Sequence, residues 1–100
     1  MNYIEESLEK YRIIKGLESK EEVCHALGIK PQAWSRAVKR GYLTNDQVLH
    51  IAEGLEEPPT LLLLARDAMR EKNKDVSKFY FGAMIATKQF LFTGNKDYRK

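Results

Sequence analysis

Residues 30–42 combine amide, hydroxyl and guanidinium side chains with no carboxylate. If this segment is helical, one face carries three hydrogen-bonding groups and a small apolar one: Gln32, Ala33, Ser35 and Arg36. A glutamine amide can form two hydrogen bonds with adenine, and an arginine can do the same with guanine. An alanine methyl can touch the methyl group of thymine. The chemistry that these residue types offer is therefore recognition of base edges.

Positive charge is local in this chain. The net charge is only +3, but residues 30–42 hold four cations and no acid. They are Lys30, Arg36, Lys39 and Arg40. Residues 69–100 hold eight bases and three acids, whereas residues 1–29 and 43–68 are richer in acids than in bases. A local basic patch is what contact with phosphate groups requires, and Lys39 and Arg40 are placed to supply it.

The elements that must position this segment are all predicted to be helical. The apolar periodicity indicates six helices and no strand pair. In chain order we expect them at residues 4–15, 19–27, 31–40, 44–55, 59–72 and 75–92, with residues 95–100 as a frayed tail. Ser19 and Thr44 are each followed three residues later by Glu or Gln, which predicts a capping box at the second and fourth helices. Gly28 and Gly41 end the second and third helices, and Asp75 is the expected N-cap of the sixth.

Several residues have both a packing interpretation and a chemical one. Trp34 and Val38 lie four apart, which favours packing in the core over stacking of Trp34 on a base. Cys24 is favoured as a small buried residue at a helix crossing over a redox switch. His25 and His50 belong to no pattern of Cys or acidic residues that has the spacing of metal ligands, so no metal is predicted.

Composition excludes other classes. One hundred residues suit a single domain with a modest core. No run approaches the ~18 apolar residues of a membrane span, and the acidic start has no hydrophobic signal-peptide region. One cysteine suits a reducing compartment, so we expect a cytoplasmic protein. Spacing reveals no catalytic constellation and no phosphate-binding glycine loop, so neither an enzymatic activity nor a cofactor is predicted.

Four stretches carry a family resemblance: SKEEVCHALGI, PQAWSR, RG and LTNDQVLHIAEGL. Together they resemble the lambda-repressor-like, Cro-type (XRE) helix-turn-helix regulators, particularly small phage-associated members. The resemblance covers about Leu8 to Arg70. The fold it implies is all-α, a five- to six-helix lambda-repressor-like helix-turn-helix domain with an added C-terminal helix. We place the DNA-binding domain at residues 1–73 and the added helix in residues 74–100. It also implies a transcriptional regulator, a repressor for example, that binds double-stranded DNA in a bacterial host cell.

The resemblance also assigns individual contacts. Gln32 and Arg36 fall on base-reading positions of the third helix, which would enter the major groove. Ser19 and Lys20 fall on the phosphate-touching start of the second helix. We expect Lys30, Lys39 and Arg40 to hold the DNA backbone as well.

The sixth predicted helix has more apolar surface than a small domain needs on one side. It could close the core, form a dimer, or contact another protein or a membrane. Its cations are few, which makes a membrane contact unlikely. We favour a homodimer through Phe79, Tyr80, Met84 and Phe90. The alternative function is a phage protein-binding module on the same scaffold, which inhibits a host or repressor protein through this helix.

Overall fold

A computed structural model describes residues 2–91. Within that range the chain forms six α-helices, one 3₁₀ turn and no β-strand, which confirms the predicted all-α class. The elements are α1 (Tyr3–Ile14), α2 (Lys20–Leu27), the 3₁₀ turn (Pro31–Ala33), α3 (Trp34–Arg40), α4 (Asn45–Leu55), α5 (Thr60–Arg70) and α6 (Lys74–Gln89). The predicted helix end at Phe92 and the predicted frayed tail lie outside the described residues.

Both predicted capping boxes are confirmed. The Ser19 hydroxyl accepts a hydrogen bond from the backbone N–H of Glu22 at 3.2 Å. The Thr44 hydroxyl accepts one from the backbone N–H of Gln47 at 3.1 Å. In each case the side chain of the third residue returns to the backbone N–H of the cap. These bonds satisfy amides that have no partner within the helix, so they fix where α2 and α4 begin.

The predicted boundaries on either side of the link between α5 and α6 differ from the structure. The N-cap of α6 is Asn73 rather than Asp75, because the Asn73 side-chain oxygen accepts from the backbone N–H groups of Asp75 and Val76. Asp75 lies in the first turn, where its negative charge suits the helix dipole. At the other boundary, α5 ends at Arg70 because Glu71 adopts an extended conformation.

The core lies where the first five helices, α1 to α5, meet. Its fully buried large side chains include Ile4, Leu8, Val23, Val48 and Ile51. The leucine run of α5 is covered on more than one side, as expected from its composition: Leu61 and Leu62 are buried and the next two leucines are partly buried. α6 contributes no buried residue and packs chiefly on α5. The first five helices therefore form the core, and α6 lies against its surface.

Gly28 and Gly41 end α2 and α3 as predicted, each in the left-handed conformation with φ of 70° and 71°. This backbone region is costly for residues with a Cβ atom. The surroundings of the two glycines differ. A Cβ at Gly28 would meet nothing within 4 Å, whereas one at Gly41 would lie 2.8 Å from the backbone oxygen of Arg66. α5 therefore approaches the end of α3 closely.

In residues 2–91, no helix is both long and apolar enough to cross a membrane.

Candidate nucleic-acid interface

The predicted third helix consists of two segments. Pro31–Ala33 form a 3₁₀ turn, in which the Ala33 N–H donates to the Lys30 carbonyl at 2.8 Å, and α3 begins at Trp34. Lys30 offers no capping side chain, so the first turn tightens instead. A 3₁₀ turn has about three residues per turn rather than 3.6, so residues three apart align along it. The rotation from Gln32 into α3 therefore differs from that of a continuous α-helix.

The four predicted base-reading residues are not equally accessible. Gln32, Ser35 and Arg36 are exposed. Ala33 is partly buried and packs against the core cluster, so less of its methyl group is free to contact a ligand. The accessible part of this face is therefore an amide, a hydroxyl and a guanidinium with no carboxylate among them.

The opposite side of α3 holds it in place. Ala37 and Val38 are 0% and 3% exposed, so the face that carries Arg36 must point away from the core. Trp34 is partly buried and packs against the core cluster, in agreement with the packing interpretation. The Lys20 Nζ lies 5.7 Å from the centre of the Trp34 ring, close enough for a cation–π interaction. This contact ties the start of α2 to the start of α3.

Two side chains from other helices hold the backbone on either side of this face. Asn2 donates from Nδ2 to the Val38 carbonyl at 2.7 Å, while its oxygen caps α1. Gln47, besides closing the capping box of α4, donates from Nε2 to the Gly28 carbonyl at 3.1 Å. The end of α3 is thereby anchored to α1, and the turn between α2 and α3 is anchored to α4.

A third side chain that holds the backbone near this face is that of Arg66, which is only 7% exposed. Its Nη1 donates to the Leu43 carbonyl at 3.3 Å and to the Asn45 side-chain oxygen at 2.5 Å. Its other nitrogens pair with Asp67 at 3.0 Å. The guanidinium thus fixes the link between α3 and α4. The only sequence signal for this role is that Arg66 is the sole cation between residues 43 and 68.

The cations at the end of α3 are joined by one from a distant part of the chain. Lys39 and Arg40 are exposed on the last turn of α3, and Lys30 is exposed before the 3₁₀ turn. The guanidinium carbon of Arg70 lies 5.6 Å from the centre of the exposed Tyr42 ring. Only Gly41 separates Tyr42 from the last residue of α3, so α5 adds a positive charge near the end of α3. No local sequence pattern indicates this pair, because its members are 28 positions apart.

The start of α2 is less favourable for phosphate than the resemblance implies. The Ser19 hydroxyl already accepts from the backbone of Glu22. The Glu22 carboxylate accepts in turn from the backbone N–H groups of Glu18 and Ser19. A carboxylate therefore occupies the position where a phosphate would meet these amides. Lys20 is exposed and remains the cation at this end.

The four residues predicted for a dimer or partner surface divide into two pairs. Phe79 and Phe90 are 75% and 67% exposed. Met84 is partly buried and packs against the core cluster, and Tyr80 is partly buried beside Asp67 of α5. Met84 therefore helps to attach α6 to the core, Tyr80 lies on the same side of the helix, and the two phenylalanines remain largely exposed.

The remaining candidate groups can be placed briefly. Cys24 is buried, and this burial raises the pKa of its thiol. His25 and His50 are exposed. Among residues 2–91, no three or more His, Cys, Asp or Glu side chains come together as a group that could hold a metal ion.

Comparisons of the chain with protein-family models, with curated proteins and with solved structures found no significant match.

Proposed function

We propose that this protein is a sequence-specific regulator of transcription that binds double-stranded DNA, of the helix-turn-helix type and encoded by a phage or prophage. The observation that carries this proposal is the exposed, acid-free face formed by Gln32, Ser35 and Arg36. The opposite side of α3 is buried in the core through Ala37 and Val38, and Lys39 and Arg40 border the exposed face. No catalytic step or cofactor is part of the proposal.

In this proposal the 3₁₀ turn and α3 enter the major groove, which is about 12 Å wide and admits a helix. Gln32 and Arg36 read base edges, and Ser35 lies between them. Lys39 and Arg40 contact phosphates on one side of the groove. Base contacts supply the specificity, while phosphate contacts supply affinity and position.

Further phosphate contacts come from cations around this face. Lys30 and Lys20 lie toward its N-terminal end, and Arg70 joins the cations at the end of α3. Because these charges come from different helices, their arrangement depends on the fold rather than on α3 alone. A single motif of this kind contacts only a few base pairs, so we also propose that the protein acts as a dimer on a site with two-fold symmetry.

The test is selection of bound duplexes from a random DNA pool at moderate salt, with Gln32→Ala/Arg36→Ala as the control protein. We expect an enriched palindrome that the double variant fails to enrich. No enrichment by a folded wild-type protein would overturn the proposal. Because the control side chains are exposed, circular dichroism should show that the double variant is folded.

Two single variants separate base reading from phosphate binding. Arg36→Ala should cost roughly 1–3 kcal/mol of binding free energy and relax preference at one base pair. Lys39→Ala should weaken binding to all sequences alike and reduce the slope of log K against log salt by about 0.9. If Arg36→Ala changed neither affinity nor preference, the assignment of Arg36 to a base would be wrong.

A second candidate is the protein-binding module, in which α6 contacts a host or repressor protein. The exposed Phe79 and Phe90 favour it. Salt distinguishes the two functions: DNA binding should weaken steeply between about 50 and 200 mM salt, whereas an apolar protein contact should not.

A further inference from the structure

The exposed side of α6 has a palindromic pattern. Phe79, Ala83, Ala86 and Phe90 follow one another at intervals of four, three and four residues. Intervals of three and four keep residues on one stripe of a helix, as in the seam of a coiled coil. Large residues stand at both ends of this stripe and small ones in the middle. The pattern reads the same in either direction along the helix.

The stripe lies beside the surface that α6 uses within its own chain. Tyr80, Met84 and Thr87 are partly buried and mark the side that faces α5. Phe79, Ala86 and Phe90 are exposed, and Ala83 is partly buried at the border between the two sides. Phe90 caps α6 but keeps helical backbone angles, so it continues the stripe. The stripe is therefore available while α6 stays docked on α5.

We propose that this stripe pairs with the same stripe of a second copy, with the two α6 helices antiparallel. A two-fold axis between Ala83 and Ala86 places Phe79 opposite Phe90 of the other copy, and Ala83 opposite its Ala86. Small residues at the centre let two helices approach to about 8 Å, the lower end of the usual range. The phenylalanines then cover each other on both sides of the axis. A contact between two copies of one chain is self-complementary, and a palindromic stripe meets that requirement.

The size of the stripe suits a weak dimer. A phenylalanine can bury about 150–250 Å², so Phe79 and Phe90, at 75% and 67% exposed, together offer roughly 280 Å² per chain. The 16 residues of α6 span about 24 Å. Over both copies the phenylalanines supply about 560 Å². The alanines add to this area, but the contact stays below the roughly 1,200 Å² at which standard specific interfaces begin, in the range of weak and transient ones. We therefore expect a dissociation constant of about 1–100 µM in the absence of DNA.

The proposed regulator acts as a dimer, and the α6 stripe is the surface through which its two copies would pair. This inference rests on the proposed function only where it gives the dimer a role in DNA binding. The pairing itself is tested without DNA. It can therefore succeed when selection from the DNA pool fails, and the reverse also holds.

The first experiment is sedimentation equilibrium of the whole chain up to about 300 µM, above the expected dissociation constant. Phe79→Ser should raise that constant at least about 30-fold, because each dimer loses both of its contacts between Phe79 and Phe90. The matched control is Ile85→Ser, which removes a side chain 53% exposed on another side of α6. We expect it to change the constant less than about threefold, within the range of a residue outside the interface. Circular dichroism should show the wild-type helix content in both variants.

The second experiment determines the orientation, in a Cys24→Ala background with Phe79→Cys and Phe90→Cys as separate chains. Antiparallel pairing places identical residues about 16 Å apart along the axis, at 1.5 Å per residue, too far for a disulfide. A mixture of the two chains should therefore oxidise to the mixed dimer, while each chain alone should not. Cross-linking of either chain with itself instead would show parallel pairing and overturn the proposal.

Two other outcomes overturn it as well. A wild-type chain that stays monomeric at about 300 µM does not pair through this stripe. If such a monomer sedimented with vesicles of phosphatidylcholine and phosphatidylglycerol, the stripe would be assigned to lipid instead. An equal effect of Ile85→Ser and Phe79→Ser would place any dimer contact on a different surface of α6.

Discussion

Replacing Gly41 by alanine tests the close approach between α5 and the end of α3. Two costs add at this position. The left-handed backbone, with φ of 71°, costs an alanine about 1 kcal/mol after the reduced entropy of the unfolded chain is counted. The new Cβ would also lie 2.8 Å from the Arg66 carbonyl oxygen, 0.6 Å inside the 3.4 Å at which ordinary contact begins. That atom belongs to the backbone of a packed helix, so relief requires α5 or the α3–α4 link to move.

Gly28→Ala is the matched control. Its φ is 70°, and its added Cβ meets nothing within 4 Å. It therefore carries the backbone cost alone, about 1 kcal/mol. Overpacking adds about 1–3 kcal/mol at Gly41, so we expect a total near 3 kcal/mol there. The difference between the two variants, about 2 kcal/mol, corresponds to roughly 8–16 °C in Tm for a chain of this size.

Urea denaturation followed by circular dichroism and by the fluorescence of Trp34 measures both variants. The free energy of unfolding should fall about three times as far for Gly41→Ala as for Gly28→Ala, with unchanged m-values. Equal losses would refute the close approach of α5 to Gly41. A smaller loss at Gly41 than at Gly28 would refute the steric argument altogether.

Three further predictions concern the buried parts of the fold. Gly54→Ala should lower the free energy of unfolding by about 1–2 kcal/mol, because the added Cβ would lie 2.5 Å from the Tyr11 ring. Alanine has the higher helix propensity, so a thermal melt that showed stabilisation would contradict this contact. Arg66→Met should lower the free energy of unfolding by about 2–4 kcal/mol in urea titrations, because the Asn45 side chain and a backbone carbonyl lose a charged hydrogen-bond donor. A loss below about 0.5 kcal/mol would show that the Arg66 hydrogen bonds contribute little to stability. At pH 8, Cys24 of the folded chain should react with a thiol reagent on the order of 100-fold more slowly than Cys24 of the urea-unfolded chain, because burial shields the thiol and raises its pKa. Equal reaction rates would place the thiol at the surface.

Local chemistry explains why some elements were predictable from the sequence. Ser19 and Thr44 each have their capping partner three residues away, so both capping boxes could be read from neighbouring letters. Gly28 and Gly41 follow apolar helical runs and take the left-handed conformation that favours glycine. The N-cap of α6 was misplaced because Asn73 and Asp75 are both good caps and the spacing alone does not choose between them.

The residue types of the candidate site could be predicted from the sequence, but the local backbone and the neighbouring groups that surround them could not. Gln32 and Arg36 could be picked out because helical spacing puts them on a face without acids. That Gln32 lies on a 3₁₀ turn follows from the missing cap at Lys30, a weak local signal. The obstruction at the start of α2 comes from Glu22. Its spacing from Ser19 predicts the capping box, and the bonds of that box occupy the groups that a phosphate would otherwise meet.

By itself the sequence determined the all-helical class, the main helix ends and the acid-free face, because these depend on contacts between residues at most four positions apart. Only the tertiary structure decided what surrounds that face. Asn2 reaches Val38 across 36 positions, and Arg70 reaches Tyr42 across 28. Packing of the apolar helix faces sets such contacts, and periodicity shows which face is buried but not which helix covers it. The apolar pattern of α6 likewise does not show which of its residues its own chain covers. Packing on α5 leaves Tyr80 and Met84 partly buried and Phe79 and Phe90 exposed.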